Sequence, residues 1–222
     1  MKRNKGKNKS TDKNKNTVKK EEDEIIFKII TLGDSGVGKT SIIKRYITGE
    51  FDDNIASTVG INFSFKELII NESQKIKLKI IDTCGQERFK SLSKAYFKNA
   101  DGVLYVFGVN DKDSFYNIKE WMGYFNENNT LENTPKVLVG NKCDLEFDKE
   151  LNKNLIEEFS EENKIKYIES SVKDNKNINE LFEELGKMLY KKGIPLDKQK
   201  SNIIIKTPKK QKKVCILCDN DL

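Results

Sequence analysis

The chain has 222 residues, a formal charge of +6 and 34% charged against 36% hydrophobic residues, which suits one domain of ordinary size with its own core plus tails. Four cysteines, no histidine and a charged N-terminus without a signal-peptide pattern exclude a disulfide scaffold and point to a reducing, cytoplasmic setting. No apolar run approaches the roughly 20 residues that span a bilayer, and the lysines gather at the two ends instead of along one face, so the charge is no argument for nucleic-acid binding.

Residues 1–23 are rich in lysine and asparagine and poor in large apolar side chains, so they cannot offset the entropy of ordering and read as a disordered basic tail. Its functional reading is a weak attraction to anionic lipid, of about 1 kcal/mol per lysine held near the surface, and compositional bias with no role ranks ahead of that reading. Lys2 stands where N-myristoylation requires glycine.

Order begins at Glu24. The apolar run Ile25 to Leu32 reads as a strand and leads directly into Gly33-Asp34-Ser35-Gly36-Val37-Gly38-Lys39-Thr40. This fits G-x-x-x-x-G-K-[ST], in which glycines let successive backbone N–H groups fold inward around a polyphosphate and the lysine reaches its outer phosphates. The residues from Ser41 to Ile47 carry apolar positions at helical spacing, so a helix N-terminus adds a positive dipole end to the cradle.

A polar connector follows from Thr48 to Ala56. Asn62 to Ile70 and Lys75 to Ile81 each alternate apolar and polar residues across a short turn, which predicts an antiparallel hairpin ending at Asp82-Thr83-Cys84-Gly85-Gln86. From there helix and strand alternate. Glu87 to Lys98 is helical, Gly102 to Phe107 a buried strand, and Asp113 or Ser114 opens a helix containing Trp121, Met122 and Phe125. Pro135 to Gly140 is a second buried strand, Asp148 to Asn163 helical, Lys166 to Ser170 strand, and Asn177 to Lys192 a final amphipathic helix. Gly193-Ile194-Pro195 stops that helix, and residues 193–222 form a flexible, lysine-rich tail with two cysteines. This order predicts an α/β fold with a doubly wound, six-stranded, mostly parallel sheet, one antiparallel edge strand, and a ligand site beyond the carboxyl ends of the strands.

Two further segments fall at those ends. In Asn141-Lys142-Cys143-Asp144 a carboxylate can accept hydrogen bonds from N1–H and the 2-amino group of guanine, donors that adenine lacks. In Asp82-Thr83-Cys84-Gly85-Gln86 there is a carboxylate to hold Mg²⁺ through water, a glycine N–H for a γ-phosphate and an amide to orient an attacking water.

With these motifs in view, the span from Glu24 to Lys192 resembles a small GTPase of the Ras superfamily, a P-loop NTPase G domain, and most closely the Rab family. That leaning rests on Val59 to Phe63, Lys77 to Ile80, Gln86 to Leu92 and Tyr96 to Ala100. The resemblance implies a GTP/GDP-cycling switch that hydrolyses GTP and recruits effectors in vesicle and membrane traffic. Residue by residue, it implies that Lys39 bridges the β- and γ-phosphates, that Thr40 and Thr58 ligate Mg²⁺ while Asp82 holds it through water, and that Ser35, Gly36, Val37, Gly38 and Ser41 supply loop and helix donors. It implies that Phe51 packs on the guanine edge, that Asn141, Lys142 and Asp144 read the base with Ser171, Val172 and Lys173, that Gly85 meets the γ-phosphate, and that Gln86 positions the catalytic water. Two segments, Phe51 to Ile61 and Gly85 to Ala95, are then expected to relax when the γ-phosphate leaves and so to present different surfaces to an exchange factor, an activating protein and effectors. The arginines are Arg3, Arg45 and Arg88, none in the first of these segments, so hydrolysis is expected to be slow until a partner supplies the missing cation.

The chain departs from the family in places. Ile81 stands where tryptophan is usual, Cys84 where alanine is, and Phe107-Gly108-Val109-Asn110 lacks the usual aspartate, for which the sequence offers no reason. Cys84 is read as a tolerated small side chain ahead of a redox-sensitive thiol. Cys215 and Cys218 are candidates for lipidation and peripheral attachment to the cytoplasmic face of intracellular membranes, although Asp219 to Leu222 follow them and no C-a-a-X box is present. A zinc site built on them is disfavoured, since the other cysteines lie in the nucleotide loops. The expected state is a monomer. Two other classes stay open on the residues alone: a catalytically silent, nucleotide-locked module, and a P-loop phosphotransferase.

Overall fold

The computed structural model describes residues 25–52, 58, 60–72, 74–83 and 95–193. The tails at 1–23 and 194–222, with Cys215 and Cys218, lie outside them, as do Cys84, Gly85 and Gln86.

The elements in chain order are β1 (Ile26–Leu32), α1 (Lys39–Thr48), β2 (Ile61–Asn71), β3 (Gln74–Thr83), β4 (Gly102–Gly108), α2 (Lys112–Tyr116), α3 (Ile118–Asn128), β5 (Lys136–Asn141), α4 (Lys153–Glu162), β6 (Lys166–Glu169) and α5 (Ile178–Lys192). They build one six-stranded sheet in the order β2-β3-β1-β4-β5-β6. Only β2 runs antiparallel, pairing with β3, and β1 lies parallel between β3 and β4. The sheet order therefore reverses beside β1, which opens a crevice at the carboxyl end of that strand.

The central strands read as continuous apolar runs because both faces of the sheet are covered. On one face Phe27, Ile29, Leu78, Ile80, Leu104 and Val106 pack under α1 and α5, where the rings of Tyr46 and Phe182 stack with centroids 3.8 Å apart. On the other, Ile30, Leu32, Ile81, Val103, Tyr105 and Phe107 pack under α2, α3 and α4. Ile81, the departure from the family's tryptophan, is fully buried there. The outer part of the hairpin is different: Phe63, Phe65 and Ile69 of β2 stay 44%, 52% and 65% exposed.

Two helices differ from the periodicity-based expectation. The helix expected over 148–163 starts only at Lys153, because the Asn152 side chain caps it by accepting from Leu155 N–H at 2.9 Å, while Asp148 Oδ1 accepts from Glu150 N–H and closes a turn first. The helix expected from Asp113 or Ser114 opens at Lys112 behind Asp111, whose carboxylate accepts from Ser114 N–H, and it is interrupted at Asn117, which separates α2 from α3. Of the helix expected at 87–98, residues 95–98 are described: 95–97 are helical and Lys98 is already in a turn.

Candidate functional site

Strand β1 ends at Leu32 and the chain turns back on itself before α1. Gly33 adopts φ 142°, and a Cβ there would lie 2.0 Å from the Val106 carbonyl oxygen, so only glycine lets the loop lie against β4. Gly38 adopts φ 96°, and a Cβ there would lie 2.4 Å from Asn141 Nδ2. The same Asn141 amide donates to the Val37 carbonyl at 2.8 Å and accepts from Ser170 Oγ at 3.2 Å. Asn141 therefore acts here as a brace between the loop and the β5–β6 end, with both polar atoms engaged inside the protein.

Lys39 is almost wholly buried, and its ammonium donates to the carbonyls of Gly33 at 2.8 Å and Asp34 at 2.6 Å. This holds a positive charge across the mouth of the loop. The first turn of α1 has neither a side-chain cap nor an acidic residue, which leaves its N–H groups for an incoming anion. Ser35 and Gly36 are exposed and Val37 is buried.

A cluster of oxygens stands beside the loop. Thr40 Oγ1 donates to Asp82 Oδ2 at 2.8 Å and also touches Thr58 Oγ1. Asp82 is held in register by two buried cross-links between β1 and β3: Thr83 Oγ1 donates to the Thr31 carbonyl at 2.6 Å, and Thr31 Oγ1 to the Ile81 carbonyl at 3.1 Å. Its Oδ1 is buried and has no hydrogen-bond partner among the described residues. Burial pushes the Asp82 carboxyl above its ordinary value, opposed by the Thr40 hydrogen bond and the Lys39 charge. A buried, unpartnered carboxylate oxygen among two hydroxyls is the donor set of a hard divalent cation, so Thr40, Thr58 and Asp82 fit Mg²⁺.

At the base corner, Lys142 takes a left-handed φ of 65° that turns the chain sharply out of β5. Cys143 N–H is fixed on the Ser170 carbonyl at 3.1 Å, and burial pushes the Cys143 thiol pKa up, which argues against a reactive thiolate. Asp144 is exposed, and its Oδ1 accepts from Ser171 Oγ at 2.6 Å, which aims the carboxylate. Ser171 in turn accepts from Asp174 N–H at 3.0 Å. Val172 is buried beneath this corner, Lys173 is exposed, and Phe51 lies past the end of α1, 37% exposed.

The described candidates other than Phe51 thus gather at the carboxyl ends of β1, β3, β5 and β6, whereas Phe51 is not brought into contact with them. Gly85 and Gln86 lie outside the described residues. Sequence reading gave no part to Ser170, Thr31 or Thr83, nor to the side chain of Asp34. That carboxylate accepts from Asn117 Nδ2 and from Trp121 Nε1, each at 2.7 Å. The partners stand 83 and 87 residues away, a separation at which no local pattern signals a contact. For Gly108 the structure supplies what the sequence lacked. Its N–H donates to Ser114 Oγ at 3.0 Å, and a Cβ there would lie 3.0 Å from Asn110 Oδ1, tighter than most side-chain contacts.

A sequence profile of the Ras family matches residues 28–191. Among curated relatives, Ras-related protein Rab-13 of Bos taurus is 39% identical over 169 residues, which is 76% of this chain and 82% of its own. Ras-related protein Rab-1D of Dictyostelium discoideum is 40% identical over 161 residues, 72% and 78% of the two chains. Ras-related protein SEC4 of Saccharomyces cerevisiae is 40% identical over 167 residues, 75% and 76%.

Proposed function

Because this chain belongs to the Ras family of small GTPases, with Rab proteins as its relatives, we propose that it cycles between GTP- and GDP-bound forms and recruits effectors in intracellular vesicle traffic. The observation that carries the reading is Asn141: one buried side chain ties the phosphate loop to the strand end that bears Asp144. Selectivity for the base and grip on the phosphates are thereby set by one rigid piece of structure. Mg²⁺, when bound, neutralises charge on the β- and γ-phosphates. Thr40 and Thr58, with Asp82 through water, would hold it; Lys39 turns its ammonium to the phosphates, and Asp144 accepts from the guanine edge. Gln86 orients the attacking water.

Hydrolysis by the isolated chain is slow. Arg45 is engaged with Asn175 of the β6–α5 loop at 3.1 Å, which supports an activating partner as the source of a catalytic cation. Exchange factor, activating protein and effectors engage the segments Phe51 to Ile61 and Gly85 to Ala95. The exposed β2 face carries Phe63, with Lys79 Nζ 4.9 Å from its ring centre and Tyr96 5.5 Å away, and gives effectors an apolar landing next to both segments. No helix among the described residues is long and apolar enough to cross a membrane, and membrane contact is assigned to lipid on Cys215 or Cys218, detectable by mass spectrometry of the native C-terminal peptide.

A turnover assay with GTP and with ATP tests the proposal, with Gln86→Leu as control. Slow GTP turnover abolished by the substitution, with ATP untouched, is expected. Equal use of ATP, or no GTP turnover at all, overturns it.

A further inference from the structure

The loop that wraps the phosphates carries a carboxylate of its own. Asp34 follows Gly33 directly, and both their carbonyls hold the Lys39 ammonium, so the backbone that carries its side chain is anchored at the cradle. A free carboxylate there would repel a polyphosphate, since like charges a few ångströms apart in a partly buried site interact strongly. In the structure it is not free. Asn117 Nδ2 donates to Asp34 Oδ2 and Trp121 Nε1 to Asp34 Oδ1, both at 2.7 Å. The two donors come from one helical stretch: Asn117 precedes the first residue of α3 and Trp121 sits one turn further on, four residues along the same face.

We propose that Asn117 and Trp121 are positioning residues that clasp the Asp34 carboxylate on the α3 side of the loop and so keep its charge off the bound nucleotide. The inference rests on the phosphate-site reading above. Asn117 keeps a helical backbone, φ −66° and ψ −15°, at the point where α2 gives way to α3, so its side chain and that of Trp121 share one face toward Asp34. Trp121 is buried in the second core layer and carries a donor that needs an acceptor; Asp34 supplies one.

The test is release of fluorescently labelled GDP from the full chain in excess unlabelled GDP and Mg²⁺. Asn117 is exposed, so Asn117→Asp leaves the core intact while setting a second carboxylate against Asp34. Release is expected to accelerate about tenfold at low salt and markedly less at ~0.5 M salt, where the repulsion is screened. Adding Asp34→Asn to the same chain removes the acceleration, because the neutral amide is indifferent to the phosphates and bonds to Asp. Trp121→Phe keeps an aromatic side chain, smaller than the indole, and loses the N–H, and is expected to accelerate release about threefold, again reversed by Asp34→Asn. Acceleration that is equal at both salt concentrations and survives Asp34→Asn reduces the contact to a tether and overturns the clasp, as does no acceleration in either variant. An unmodified chain that binds no GDP removes the phosphate-site reading and the clasp with it; the other outcomes leave that reading standing.

Discussion

At the base corner, the side chains that set the geometry already have partners inside the protein: Asn141 is used by Val37 and Ser170, and Asp144 Oδ1 is held under Ser171. At the metal corner, on the other side of the same loop, Asp82 keeps one buried oxygen with no partner among the described residues, and burial lifts its carboxyl pKa. The base corner is finished by folding, whereas the metal corner is left with a desolvated carboxylate that a proton or a metal cation relieves. On the proposed reading, a rigid base corner suits discrimination, since a purine without donors for Asp144 leaves that carboxylate with its Ser171 bond alone. An incomplete metal corner suits a switch, since the free energy withheld from folding is released when metal and phosphate arrive.

Four substitutions or conditions sharpen the contrast, taken from the largest expected effect. Asp144→Ala removes the acceptor at the base corner and is expected to lower the preference for GTP over ATP by on the order of 10⁴, read by competition calorimetry. At the metal corner, chelating Mg²⁺ is expected to speed GDP release from the unmodified chain by about 10- to 100-fold, whereas in Asp82→Asn release is already fast and chelation changes it little. A chelation effect equal in both chains would break the comparison.

Ser171→Ala leaves Asp144 in place but unaimed. GDP affinity is expected to fall about fivefold, the equivalent of one ordinary hydrogen bond of about 1 kcal/mol, with adenine nucleotides unaffected; a large loss of thermal stability would instead make Ser171 a folding residue.

The smallest effect is a pH dependence. The folded, ligand-free chain holds a proton on Asp82 at pH values where the unfolded chain has released it, so this residue's contribution to stability rises as pH falls toward the ordinary carboxylate range and is lost as pH rises through the raised folded value. Asp82→Asn has no such proton. Its denaturation midpoint is expected to exceed that of the parent near neutrality and the gap to close toward about pH 4; a gap that does not change with pH removes the buried charge as its cause.

Local chemistry made much of this legible in the sequence. The glycine spacing from Gly33 to Gly38 and the two alternating hairpin strands each carry their meaning within a few residues, because tight turns and strand alternation are short-range demands. The start of α4 was missed because a capping asparagine at 152 and a turn at Asp148 outrank periodicity over one turn of helix. The break at Asn117 was missed because its side chain's partner lies in another part of the chain.

The sequence by itself determined the order of the elements, the residue types at each loop and hence the class of ligand, since these follow from backbone propensity and side-chain chemistry. Only the tertiary structure decided that Asn141 braces a loop 104 residues away, that Asp82 is buried with an oxygen to spare, and that Asp34 is turned toward α3. Those are facts of burial and of contacts between distant segments, and desolvation acts on a side chain only once the rest of the chain has closed around it.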